Sequence, residues 1–154
     1  MKCNRKEYSS VFFRHNLYLI DALEHVQRNF TKRLPGLHDI KYNDRLRICK
    51  LETLELRRLQ TDLIMVYKIV NNLMTINLNG SVKLFNNVGT RGNTYKLTKN
   101  YARLDIRKFF FCNRIVDIWN MLDKETVCSR NLHNFKHKLL LTNLSRYLKG
   151  RAYK

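Results

Sequence analysis

Apolar side chains recur every third or fourth position through most of this 154-residue chain, and a single proline, Pro35, interrupts them. That spacing stacks residues along one side of a 3.6-residue helix and cannot serve a strand, whose faces alternate every second residue. Leu19, Leu23, Val26, Phe30 and Leu34 share one face of a helix predicted over about 17–34, which Pro35 and Gly36 end by removing a backbone donor and permitting a sharp turn. A small helix is predicted in "YNDRLRICKL". A long one follows in "LETLELRRLQTDLIMVYKIVNNLM", with Leu56, Leu59, Leu63, Val66, Val70 and Leu73 as its buried stripe. Thr53 followed by Leu56 makes no capping box, so its start is fixed only to within a few residues.

From Asn71 to about Asp105 the pattern dissolves into Asn-, Thr- and Gly-rich segments suited to turns, and Thr94–Thr98 alternate as one short strand or extended arm would. Helical spacing returns with Ile106, Phe109, Phe110, Ile115, Ile118, Trp119 and Leu122. It returns again with Leu132, Phe135, Leu139, Leu144 and Leu148 after a start at Ser129 or Asn131. The expectation is a mainly α fold: about five helices in one domain, residues 1–154, with an irregular basic middle and room for one short strand or hairpin.

Charge is the second constraint. Thirty Lys and Arg against twelve Asp and Glu leave +18, a self-repulsion that calls for an anionic partner. Residues 1–77 carry +6 and residues 78–154 carry +12. Between Lys83 and Arg114 eight cations face only Asp105, with Phe85, Tyr95, Tyr101 and Phe109–Phe111 interleaved. Cations neutralise phosphates and rings stack on bases, so this segment is suited to RNA or DNA held by its backbone. Phe109, Phe110 and Phe111, beside a helical stripe, read as core; Tyr95 and Tyr101 are open between core and stacking. The alternative is a basic helical protein-interaction module whose cations aid solubility.

Chemistry of other kinds finds little support. Cys3, Cys49, Cys112 and Cys128 are far apart and follow no secretory leader, which fits a reducing compartment better than a disulfide framework. Cys112, Cys128, His133 and His137 lack metal-site spacing, so no metal and no cofactor is expected. The acidic residues are dispersed with no Asp-Asp pair for two-metal catalysis, and no nucleophile elbow or phosphate-binding glycine loop occurs. No apolar run approaches the ~18 residues of a membrane span. Neither an enzyme, a small-molecule substrate nor a membrane partner is expected.

The blocks "LEHVQRNFTKRLPGL", "LETLELRRLQTDLIMVYKIVNN", "TRGNTYKL", "RLDIRKFFFCNRIVDIWNML" and "LHNFKHKL", in that order, resemble the C-terminal region of reverse transcriptases from jockey-like, LINE-type non-LTR retrotransposons. The likeness spans about Glu7 to Leu148. It implies a thumb and post-thumb appendage of an RNA-directed DNA polymerase that grips template and primer, without the palm, fingers and endonuclease. It also implies a nuclear or cytoplasmic ribonucleoprotein setting. On the matching blocks it assigns nucleic-acid contacts to Arg28, Lys32, Arg33, Arg57, Arg58, Arg91, Arg103, Arg107 and Lys108; the charge pattern adds Lys96 and Lys99. Trp119 reads as core and Asn120 as its hydrogen-bonded neighbour. The chain departs from the family around Val11–Arg14 and at Asp123, where prolines are usual. Without a palm to dock on, the first helix is expected to leave apolar surface exposed.

Overall fold

The computed structural model describes residues 5–74, 83–84, 95–99, 101, 103 and 111–149. Among these the chain is mainly helical: α1 (Arg5–Lys32), α2 (Tyr42–Ile48), α3 (Leu54–Val70), α4 (Phe111–Asn120), α5 (Lys124–Val127) and α6 (Leu132–Leu141), closed by a 3-10 turn at Ser145–Tyr147. Two short strands, β1 (Lys83–Leu84) and β2 (Leu97–Thr98), pair antiparallel with Lys83 opposite Thr98 and Leu84 opposite Leu97. Of the two forms anticipated, one short strand or a hairpin, the segment near Tyr95 takes the paired one. Contacts divide the chain into two units, Met1–Leu59 with Leu144–Lys154, and Gln60–Asn143.

In the first unit α1 begins a dozen residues earlier than its apolar spacing suggested and stops two residues short of Leu34. The stop has the expected cause. Turns follow at once, with Arg33 N–H donating to the Phe30 carbonyl and Leu37 N–H to that of Leu34. Gly36 takes φ +75°, a left-handed value at which any Cβ would be strained.

The packed face of α1, however, is not its apolar one. Leu19, Leu23, Val26 and Phe30 are all exposed, whereas Glu24 and Thr31 are buried. Thr31 turns its hydroxyl back onto the Gln27 and Arg28 carbonyls. Gln27 reaches the Glu52 carbonyl at 2.9 Å. Periodicity identifies which residues share a side of a helix; what lies opposite decides which side is covered. Here the opposing groups are polar: Tyr42 and Arg45 of α2 and the unpaired amides that open α3.

The second unit has an aromatic centre. Tyr67 of α3 stacks on Phe135 of α6 with ring centroids 4.3 Å apart, and Trp119 of α4 lies 6.0 Å from the same ring at a tilt. Leu63, Val66, Ile115, Val116, Val127 and Leu139 fill the space around them. The predicted stripe of α3 is buried at Leu59, Leu63, Val66 and Val70, but Leu73 lies past the end of the helix and is exposed. The Tyr67 hydroxyl donates to the Ser129 carbonyl at 2.7 Å, which satisfies a polar atom that burial would otherwise penalise. Asn131 caps α6 as anticipated, its Oδ1 accepting from Asn134 N–H at 2.8 Å. Helical periodicity through Leu144 and Leu148 overstates α6, which ends at Leu141.

Candidate nucleic-acid interface

In the first unit the buried centre of the α1–α2 pairing is Glu24, 3% exposed. Its Oε1 accepts from the Tyr42 hydroxyl at 2.5 Å and its Oε2 from Leu54 N–H at 3.0 Å. A carboxylate at the first amide of α3 meets both an unpaired donor and the positive end of the helix dipole. Thr53 contributes a longer contact, its Oγ1 accepting from Leu56 N–H at 3.4 Å. Arg28 and Arg45 lay their guanidinium groups over the Tyr42 ring, 5.0 and 5.6 Å from its centroid. Arg45 also donates to the Ile40 and Arg28 carbonyls.

This network sorts the candidate cations of the first unit. Arg28 is half-buried and committed to the Tyr42 face, so it serves the fold before any ligand. Lys32 and Arg33 stand exposed at the end of α1, where positive charge also suits the carbonyl end of the helix. Arg57 and Arg58 are exposed on α3, one turn beyond the amide that Glu24 receives. Among the described residues, Lys32, Arg33 and Arg58 form no ion pair with a carboxylate.

The second unit places β2 beside α4 through side chains that imitate a strand edge. Asn120 Oδ1 accepts from Leu97 N–H and Asn120 Nδ2 donates to the Leu97 carbonyl, both at 2.9 Å. Trp119 Nε1 donates to the Tyr95 carbonyl at 2.8 Å. Trp119 is thus core and Asn120 its bonded neighbour, and the pair fixes the backbone from which Lys96 and Lys99 project. Lys96 is half-buried and Lys99 exposed, the latter held by Asp117 in a surface ion pair of little energetic weight.

Beyond Lys99 stand Tyr101, 92% exposed, and Arg103, also exposed. Neither Lys96 nor Arg103 pairs with a carboxylate among the described residues. By contrast Arg114 is used internally, its Nη2 and Nε meeting Asp62 Oδ2 at 2.5 and 3.0 Å. Arg91, Arg107 and Lys108, with Phe109 and Phe110, lie outside the described residues.

No protein-family model, curated protein or solved structure matches the chain. Among the described residues no three His, Cys, Asp or Glu side chains converge as metal ligands would, and no helix is long and apolar enough to cross a membrane.

What sequence reasoning missed is the Glu24–Tyr42 pair. The one available signal was Glu24 itself, an acidic residue one turn ahead of Arg28 on a helix that closes with Lys32 and is followed at once by Arg33. The Tyr42 hydroxyl is pushed well above the ordinary tyrosine value of 10, first by burial, then by its hydrogen bond to Glu24 and the charge there. Burial raises Tyr67 in the same sense. A phenol whose folded pKa is raised contributes its full stability below pH 10 and loses it as pH climbs toward the folded value. Stability is therefore expected to be insensitive to these groups from neutrality to about pH 9 and to fall above pH 10. The Tyr42→Phe variant should lose less on going from pH 9 to pH 11 than the parent, a difference measured by urea titration at each pH.

Proposed function

We propose that this chain is a non-catalytic nucleic-acid-gripping module, holding RNA or DNA through backbone contacts in the manner implied by its resemblance to the C-terminal region of LINE-type reverse transcriptases. The observation that carries this reading is Tyr101, a bare aromatic ring with Lys99 two residues before it and Arg103 two residues after it, in a chain of net charge +18. An exposed ring costs hydrophobic free energy unless something covers it, and a base flanked by phosphates suits a ring flanked by cations. Lys32, Arg33 and Arg58, which pair with no carboxylate among the described residues, extend the anionic preference to the first unit. No base-specific readout is part of the proposal. The setting in the parent polymerase, beside a palm that carries the catalytic aspartates, follows the same resemblance and would place the protein in a nuclear or cytoplasmic ribonucleoprotein.

The test is a salt series. Binding of the full chain to a labelled single-stranded RNA and to an RNA–DNA hybrid is measured by anisotropy between 50 and 400 mM salt. If about six phosphates are neutralised on a duplex, log affinity falls against log salt with a slope of about five. Lys99→Gln and Arg103→Gln should each lower that slope by about one. Tyr101→Ala should weaken single-strand binding by ~1–3 kcal/mol without changing the slope. A slope near zero, or salt-insensitive binding to acidic proteins alone, would remove the proposal in favour of a protein-interaction module.

A further inference from the structure

The exposed face of α1 is too apolar to be left to water. Leu19, Leu23, Val26 and Phe30 follow a four-three-four spacing, and each is between 48% and 67% exposed. Tyr18, also exposed, widens the stripe to a sector of about 140° around the helix at 100° per residue. Five large side chains in one strip make a patch on the order of 500 Å², near the upper limit for a protein surface that meets only solvent. The packing of α1 on α2 uses the opposite, polar side, away from Leu19, Leu23, Val26 and Phe30.

The edges of the stripe say what would cover it. His25 and Lys32 border it beyond Tyr18, and Arg33 lies in line with it just past the helix end, all exposed. Of the acidic residues of α1 between 17 and 32, Glu24 is buried in the α2 interface and Asp21, half-buried, lies about 20° from Lys32 around the helix, which leaves Lys32 and Arg33 as the exposed charges at the edge of the stripe. A second copy of the chain would bring the same cationic edge against itself at +18 per protomer, an arrangement that like charges oppose. An amphipathic helix with an apolar seam and acidic flanks satisfies both the seam and its border.

We propose that α1 is a docking helix for an acidic amphipathic helix of a partner protein, seated along Leu19, Leu23, Val26 and Phe30. The apolar seam holds none of the cations assigned to nucleic acid; Lys32 and Arg33 at its border are shared with that assignment, so the seam is tested by substitutions that alter no charge.

The experiment uses the full chain and two designed 25-residue peptides with Leu at heptad seam positions, one flanked by Glu and the other by Lys. Titration calorimetry is expected to give micromolar binding of the Glu-flanked peptide and at least ~10-fold weaker binding of the Lys-flanked one. The triple variant Leu23→Ser, Val26→Ser, Phe30→Ser should weaken the Glu-flanked peptide at least ~30-fold. Its RNA affinity and salt slope should be unchanged, because no charge is altered. Circular dichroism confirms that the variant is folded; if it is not, Leu23→Ser and Val26→Ser singly should each weaken the peptide several-fold.

Equal binding of the two peptides, or binding indifferent to the substitutions, overturns the proposal. So does self-association in sedimentation that the triple variant abolishes, which would make a second copy the occupant. Adsorption to phosphatidylserine vesicles that depends on the stripe, with no peptide binding, would assign it to a lipid surface and equally overturn the proposal.

Discussion

Trp119→Ala is expected to unfold the second unit or bring it to the edge of unfolding, with a loss of ~3–5 kcal/mol. Trp119 is wholly buried between the Phe135 ring and the β2 segment, and it is the only tryptophan in the chain. Truncation removes the largest side chain of that core and opens a void that Ile115, Val116 and Phe135, each already packed on other sides, can close only in part. A domain of this size has a total stability of about 5–15 kcal/mol, so the loss is a large share of it. Urea denaturation followed by far-UV circular dichroism measures the change.

A second substitution separates the two roles of the indole. Trp119→Phe keeps an apolar ring in the cavity but leaves the Tyr95 carbonyl without the donor it has at 2.8 Å. It should cost ~1–3 kcal/mol, less than the alanine change. Should the two variants prove equally destabilised, the hydrogen bond rather than the packing would dominate. The native tryptophan also supplies a reporter, since its emission should shift to the red only when the second unit opens. The consequence reaches the candidate interface: Trp119 and Asn120 fix the strand that Lys96 and Lys99 flank, so the proposed RNA binding by those cations should weaken in step with unfolding.

Legibility in the sequence followed the kind of force involved. Apolar periodicity located α3 well, because it buries a stripe against other apolar side chains, and Asn131 announced the start of α6 through a local cap that needs no tertiary partner. The same rule misjudged α1 because its packing is polar: Glu24, Gln27 and Arg28 meet Tyr42, Arg45 and the start of α3 through hydrogen bonds and ring contacts between residues far apart in the chain. No local pattern encodes such pairings. The candidate cations were legible as composition, yet their availability was not. Arg28 is taken up by Tyr42 and Lys99 by Asp117, while Lys32, Arg33 and Arg103 stand out from the surface. The expectation that the first helix would expose apolar surface came from the resemblance, through the absent palm, and not from periodicity; the exposed Leu19, Leu23, Val26 and Phe30 belong to the stripe that periodicity identified.

The polar packing of α1 sets the second large effect. Glu24→Ala is expected to destabilise the first unit by ~2–4 kcal/mol, beyond what the lost methylene groups would account for. Two half-buried donors, the Tyr42 hydroxyl and Leu54 N–H, lose their acceptor at once, and the dipole of α3 loses the anion at its positive end. Arg45, 96% or more removed from water with its Nε already lacking a partner, would then sit among uncompensated positive charge. Glu24→Gln keeps an oxygen for one of the two donors and should cost about half as much. A double-mutant cycle with Tyr42→Phe isolates the shared bond: a coupling of ~1–3 kcal/mol is expected, as for a charge-assisted pair shielded from solvent. Urea titrations at pH 7 of the parent, the two single variants and the double variant provide it. If the two losses simply add, Glu24 acts through the α3 amide alone, and the first helix is held to the second by the Arg45 contacts rather than by the carboxylate.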